Sequence, residues 1–144
     1  MSLSQVTIND VRQAVRAALE TAFPDIGVYD QGSGPEPAPP YFLVNMLEPT
    51  HTQELGRRYW RVHPFDVKYV ALNGDMADLC GKAEQLTDVL QSITISGRAA
   101  RGTGMRFQIA EGALHFFVNY NFHVWAARTD EPFMANVEVR EGLK

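Results

Sequence analysis

From Thr7 to Phe23 the apolar residues Ile8, Val11, Val15, Ala18, Leu19 and Ala22 return at intervals of three and four, the spacing of an amphipathic helix. Thr7 can cap it, Asp10 stands where a capping box needs its second member, and Pro24 ends the run. A second run of the same period spans roughly Asp75 to Ile93. Its stripe is Met76, Leu79, Cys80, Ala83, Leu86, Val89, Leu90 and Ile93, and Asn73-Gly74-Asp75 supplies the stop before it and the cap. On this reading Cys80 is a small buried hydrophobe.

Elsewhere the pattern is extended. Ile26 to Tyr29 predicts a short strand, and the following Gln31 to Pro40 segment, with four of the chain's eight prolines, predicts a loop. Tyr41 to Leu47 and Tyr59 to Leu72 read as two strands of a long antiparallel hairpin, with EPTHTQELGRR as a polar tip turning at Gly56. Pro64 lacks a ladder donor and predicts an edge or a bulge in the second strand. Ile93 to Arg101 reads as a short strand broken by Gly97. Gly104 to Ala110 leads through the turn signal Glu111-Gly112 into ALHFFVNYNFHVW, Ala113 to Trp125. The tail from Arg128 to Lys144 reads as an arm or a surface strand. The order α-β-β-β-α followed by strands predicts an α+β domain, an antiparallel-rich mixed sheet with two helices packed on one face.

Ala113 to Trp125 holds five aromatics and two histidines in thirteen residues. Alternation sorts them: Leu114, Phe116, Val118, Tyr120, Phe122 and Val124 point to the core, while His115, Phe117, Asn119, Asn121, His123 and Trp125 share the other face. His115 and His123 stand roughly 27 Å apart along an extended strand, too far to hold one metal ion. His51 and His63 flank the hairpin tip and face each other if the hairpin is in simple register, with Glu54 or Asp66 as a conceivable third ligand. That spacing is unspecific, and cross-strand pairing explains it as well. Gly102-Thr103-Gly104, flanked by Arg98, Arg101 and Arg106, reads as a basic turn but lacks the rest of a phosphate loop. No GxSxG, HExxH or CxxC pattern occurs, and no catalytic, cofactor or metal site is assigned.

Composition narrows the remaining classes. The 144 residues are enough for one core without disulfides, and 45% hydrophobic with 21% charged residues is ordinary for a globular chain. A net charge of −4 gives no positive field for nucleic acid. The single cysteine fits a reducing compartment, and the N-terminus lacks the pattern of a signal peptide, so a cytoplasmic protein is expected, with no membrane partner.

What stands out instead is contact chemistry. Gln53, Glu54, Arg57, Arg58, Tyr59, Trp60 and Arg61 crowd the hairpin with residue types common in binding hot spots. Phe117 and Trp125 stand on the non-core face of their strand. Arg98, Arg101 and Arg106 add a basic segment, and the arm has the apolar content to join a neighbouring sheet edge. All twelve side chains are candidates for an assembly surface. Packing beneath the chain's own helices or tail is the alternative for the aromatics.

The helix ending in FPD, the run QELGRRYWRVHPFDVKY, the helix containing AEQL and the stretch RGTGMRFQIAEGALHFFVNYNFHVW resemble the tail terminator, or tail completion, proteins of contractile-tailed Firmicutes phages and prophages. The likeness runs from about Ile8 to the terminal EGLK, and the proline-rich loop departs from it. It implies one tail-terminator-like domain over residues 1–144 and a ring, typically a hexamer, on the head-proximal end of the tail tube. Such a ring stops tube polymerisation and offers a docking surface for head or neck. The implied partners are further copies of the chain and the tail tube protein, with sheath and neck or head-completion proteins beside them. Assembly would take place in the bacterial cytoplasm. Another neck or connector component, and a small enzyme or ligand-binding domain, are the alternative functions.

Overall fold

The computed structural model describes residues 6–30, 34 and 37–125. The Arg128 to Lys144 arm and half of the Gln31 to Pro40 loop lie outside the described residues.

Helix α1 spans Ile8–Ala22 and starts on the expected capping box: the Asp10 amide donates to Thr7 Oγ1 at 3.1 Å and the Thr7 amide donates to Asp10 Oδ2 at 3.0 Å. Val11, Ala14, Val15 and Leu19 form its buried line. Helix α2 spans Met76–Val89, with the Asp75 carboxylate accepting from the Ala77 amide at 3.2 Å. Its buried line is Leu79, Ala83 and Leu86, extended by Leu90. Cys80, expected in the core, is exposed, because it lies about 100° round the helix from Leu79 and on the solvent side of that line. Met76 is exposed too, and Ile93 belongs to the next strand rather than to α2.

Seven strands follow the chain order β1 Gly27–Asp30, β2 Tyr41–Met46, β3 Thr50–Leu55, β4 Arg58–Val70, β5 Ser92–Ile95, β6 Arg98–Ala110 and β7 Ala113–Trp125. Their spatial order is β1-β2-β4-β7-β6-β5, with β3 added alongside β4. Among the described residues only the β1–β2 pair is parallel, so the sheet is mixed but antiparallel-rich and the fold is α+β. Arg12 and Arg16 of α1 reach Asp30 at 3.2 and 3.3 Å and tie β1 to the helix.

β4 and β7 run in unbroken register from Arg58↔Trp125 to Val70↔Ala113. Phe65, Val67 and Tyr69 of β4 and Leu114, Phe116, Val118 and Tyr120 of β7 join the buried residues of both helices in one core. The even face of β7 is therefore the core face, as its alternation predicts. Tyr120 also bonds into the helix layer: its hydroxyl donates to the Leu90 carbonyl, at the C-cap of α2, at 2.6 Å.

The hairpin differs from expectation. β2 and β4 do pair antiparallel, but the tip between them is itself a strand, β3, folded onto β4 through the two-residue turn Gly56-Arg57. All six residues of THTQEL are exposed, so no apolar period announces the strand. Pro64 lies where the neighbour of β4 changes from β3 to β2. Between the pairs Met46↔Phe65 and Thr50↔Val62, the residues Leu47, Glu48 and Pro49 face only His63 and Pro64. The Pro64 carbonyl accepts from the Leu47 amide at 2.9 Å, and its donorless nitrogen faces that same irregular side. The bulge-like extra residue is thus carried by the neighbour, and β4 is an interior strand here rather than an edge.

The second correction concerns Arg98 to Arg106, which is strand rather than turn. The true turn before it is Ser96-Gly97, where both residues take positive φ (51° and 83°), as do Glu111 and Gly112 (54° and 74°) at the far end of β6. Gly102 is needed for close packing: a Cβ there would lie 2.5 Å from the Leu90 carbonyl oxygen and 2.9 Å from Val118 Cγ2. At Gly102 the strand changes company. From Gly102 to Ala110, β6 pairs with β7, whereas Arg98 to Arg101 pair with β5. Among the described residues, Asn121 to Trp125 of β7 therefore have β4 on one side and no strand on the other.

Candidate assembly surface

Both helices pack on the core face, and among the described residues no helix covers the opposite face of β4 and β7. At its outer end Glu54 of β3 reaches two strands: its Oε1 lies 3.2 Å from Arg58 Nε and 2.8 Å from His123 Nε2. The indole of Trp60 meets the His123 ring edge-on at 4.8 Å between centroids. Trp125, paired with Arg58 in register, is 42% exposed. An ion pair, a hydrogen bond and a ring contact thus hold one carboxylate, one guanidinium, one imidazole and the Trp60 indole in one patch, and strand register sets the Trp125 indole beside Arg58. Gln53 holds the turn beneath it, donating from Nε2 to the Gly56 carbonyl at 2.8 Å.

Midway along the same face, the Arg106 guanidinium lies 4.2 Å over the Phe117 ring. Beside it His115 Nδ1 approaches Asp66 Oδ2 at 3.1 Å. The two histidines of β7 thus have separate carboxylate partners. Asp66 and Glu54, considered above as ligands with His51 and His63, pair instead with His115 and His123. Among the described residues no group of three metal-ligating side chains converges.

His51 and His63 do not face each other. His51 is in register with Arg61, accepts from its Nε at 3.1 Å and stacks on Tyr59 at 4.2 Å. Arg61 also donates from Nη1 to the Val6 carbonyl at 3.3 Å. His63 is fully buried against Tyr120, because odd positions of β4 point into the core. Its Nδ1 is 2.8 Å from the Tyr120 carbonyl, which can only accept, so Nδ1 carries the proton. Among the described residues Nε2 has no hydrogen-bond partner, although it is buried. Burial lowers the His63 pKa below its ordinary value despite the opposing effect of that hydrogen bond, and the Arg61 charge lowers it further.

A depressed histidine pKa means that the unfolded chain takes up a proton before the folded one does. The resulting stability is complete above about pH 6.5 and is lost as pH falls through the lower folded pKa, by at most about 1.4 kcal/mol per pH unit. Thermal melts between pH 7.5 and 5 should show this fall, and His63→Gln should remove that part of the slope. An unchanged slope in the variant would exclude His63 as its source.

Of the twelve candidate residues, the structure brings Glu54, Arg58, Trp60 and Trp125 together, and places Phe117 with Arg106 further along the same face. Arg57 forms the hairpin turn with Gly56 and Gln53 bonds to that turn, Tyr59 and Arg61 lie on the opposite side of β4, and Arg98 and Arg101 stand on β6 where it leaves β7. His123 was missed as part of the patch, since only the β3–β4–β7 register brings it to Glu54. Phe107, 56% exposed and stacked on Phe116 at 6.2 Å, lies on the other, core-facing side of the sheet. Its strand alternation suggests burial, but the helix layer does not cover it.

Among solved structures, a chain from the virion of a native gene transfer agent particle is 18% identical, with a TM-score of 0.49, over 84% of this chain and 96% of that one. A second solved chain is 14% identical, with a TM-score of 0.47, over 88% of this chain and 100% of that one. Both likenesses are distant, and no curated protein matches. The family model described as phage tail terminator protein matches residues 10–132, which is most of the sequence and, among the described residues, every strand and helix apart from Ile8 and Asn9 of α1. The chain therefore belongs to the phage tail terminator family, and its role is that of a structural protein of the phage tail.

Proposed function

We propose that the protein assembles as a ring of six copies on the head-proximal end of a contractile tail tube, halts tube growth and presents a surface to the head or neck. It acts without catalysis, as one domain with a C-terminal arm, and assembles in the host cytoplasm. Family membership over residues 10–132 supports the tail role. The observation that carries the docking role is the helix-free sheet face, with Trp60, Trp125 and Phe117 set among Arg58, Arg106 and Glu54. Aromatic and arginine side chains held rigid at a surface are the types that dominate binding energy when covered. Besides the tube protein and further copies, sheath and neck or head-completion proteins are the partners this position implies.

The direct test adds purified protein to polymerising tube protein and measures tube length and end labelling. Capped tubes of arrested length are expected; unlimited growth with bare ends would sink the proposal. Trp125→Ala should weaken capping tenfold or more, the scale of a lost hot spot, while the melting temperature moves little because the side chain is partly exposed.

A further inference from the structure

The end of the molecule that carries the Gly56-Arg57 turn is three strands wide, β3, β4 and β7, and both of its borders are unpaired among the described residues. One border is the outer edge of β3, six residues long. The other is Asn121 to Trp125 of β7, five residues long, exposed where β6 turns aside to β5. A cavity of about 250 Å³ opens there, lined by Val6, Ile95, Arg98, Arg101, Asn121 and His123 among others.

Soluble proteins usually protect free edges with lysine, proline or inward charges. β3 carries a single charge, Glu54, and no proline or lysine, and Asn121 to Trp125 carries no Asp, Glu, Lys or Arg. Leu55, 73% exposed, ends the β3 edge with a large uncovered apolar side chain. The two borders are also complementary in charge. Arg98 and Arg101 stand beside the β7 border and Glu48 just before β3, each with no ion pair among the described residues, while Glu54 on β3 already pairs with Arg58 and His123 of its own subunit.

We infer that the β3 edge of one copy pairs with the Asn121 to Trp125 edge of the next, so that the sheets of neighbouring subunits join across the gap that β6 leaves. This inference rests on the ring reading above and specifies its contact. The borders differ and lie on opposite sides of one sheet, the arrangement that a head-to-tail ring needs. Polarity follows from the register. β3 and β7 are each antiparallel to β4, so they run the same way within a subunit. Rotation about a ring axis preserves strand direction along that axis, so the junction is a parallel pair. A two-fold dimer would instead place β3 against β3, antiparallel.

Cross-linking tests this with the full chain. Cys80 is exposed and is first replaced, Cys80→Ser. In that background Thr52→Cys marks the middle of the β3 edge and His123→Cys the middle of the β7 edge. With a short bis-maleimide, an equal mixture of the two single variants should give covalent dimers and each single variant alone none; the mixture is decisive because in a doubly substituted chain the two cysteines would also lie roughly 10 Å apart across β4 of one subunit. Native mass spectrometry of the unlinked protein, with and without tube protein, reports assembly independently. Rings that form without dimers in the mixture, including the case where residues 126–144 of the same chain fill the β7 edge, overturn the inference and leave the ring reading standing. Dimers from Thr52→Cys alone overturn it in favour of a two-fold contact. Absence of any assembly, with or without tubes, removes both.

Discussion

Gly102→Val should lower the melting temperature by about 10 °C, or prevent folding altogether, although the substitution adds only apolar carbon to a strand. The reason is the crowding at the end of α2. A Cβ at residue 102 would sit 2.5 Å from the Leu90 carbonyl oxygen, far inside contact distance, and 2.9 Å from Val118 Cγ2. That carbonyl cannot easily move, because it receives the Tyr120 hydroxyl at 2.6 Å, and the Gly102 amide is itself tied to the Gln91 carbonyl at 2.8 Å. Relief requires shifting either β6 from β7 or the C-terminus of α2 from the sheet. Overpacking of this kind costs about 3 kcal/mol at the upper end of its usual range, and about 3–4 °C accompanies each kcal/mol in a domain of this size. Gly81→Ala is the control of opposite sign: nothing lies within 4 Å of its would-be Cβ, and it sits in the exposed middle of α2. It should stabilise the protein by about 0.5–1 kcal/mol. A Gly102→Val protein that melts like the unsubstituted one would mean that the strand and helix do not meet as described.

Phe116→Ala is expected to cost about 3–5 kcal/mol, the range for removing a buried aromatic from a close-packed core. Phe116 has no exposed surface, lies between Val67 and Phe107 in register, and stands in the middle of the face that receives both helices. Urea unfolding should show a lower midpoint with an unchanged slope. Phe116→Leu should recover most of the loss. A cost below about 1 kcal/mol would mean that the core collapses into the vacated space and that Phe116 is not central to it.

These two positions also divide what was readable in the sequence from what was not. Phe116 was placed correctly by alternation alone, since in a strand with one buried face the parity of each residue fixes its side. The start of α1 was equally legible, because Thr7 and Asp10 act through bonds that span only three residues. Gly102 was misread as part of a turn. A glycine that permits a turn and one that permits close approach look identical in sequence, and only the position of Leu90 tells them apart. β3 was invisible for another reason: THTQEL has no apolar side to alternate. Cys80 shows the limit of stripe reading, where one step of about 100° separates a buried residue from an exposed one. Among the candidate contact residues, composition picked out the hairpin but not His123 or its bond to Glu54, which depends on strands whose pairing no local pattern encodes.

The place where β3 gives way to β2 has a mechanical meaning. On that side of β4, the change of neighbour falls beside a proline nitrogen that has no hydrogen to share, while on the other side Pro64 faces Asn119 of β7 in unbroken register. Bending about this line breaks no bond to the proline nitrogen and is resisted mainly by the β4–β7 ladder and the helices further along. On that side the bond from the Leu47 amide to the Pro64 carbonyl is the tie across this line, so Pro64 marks where a tilt of the hairpin end, with Trp60 and Trp125, against the helix-backed base is least opposed. In the ring proposed above, such a tilt would set the pitch of the subunit's contact edge to the curvature of the circle it closes.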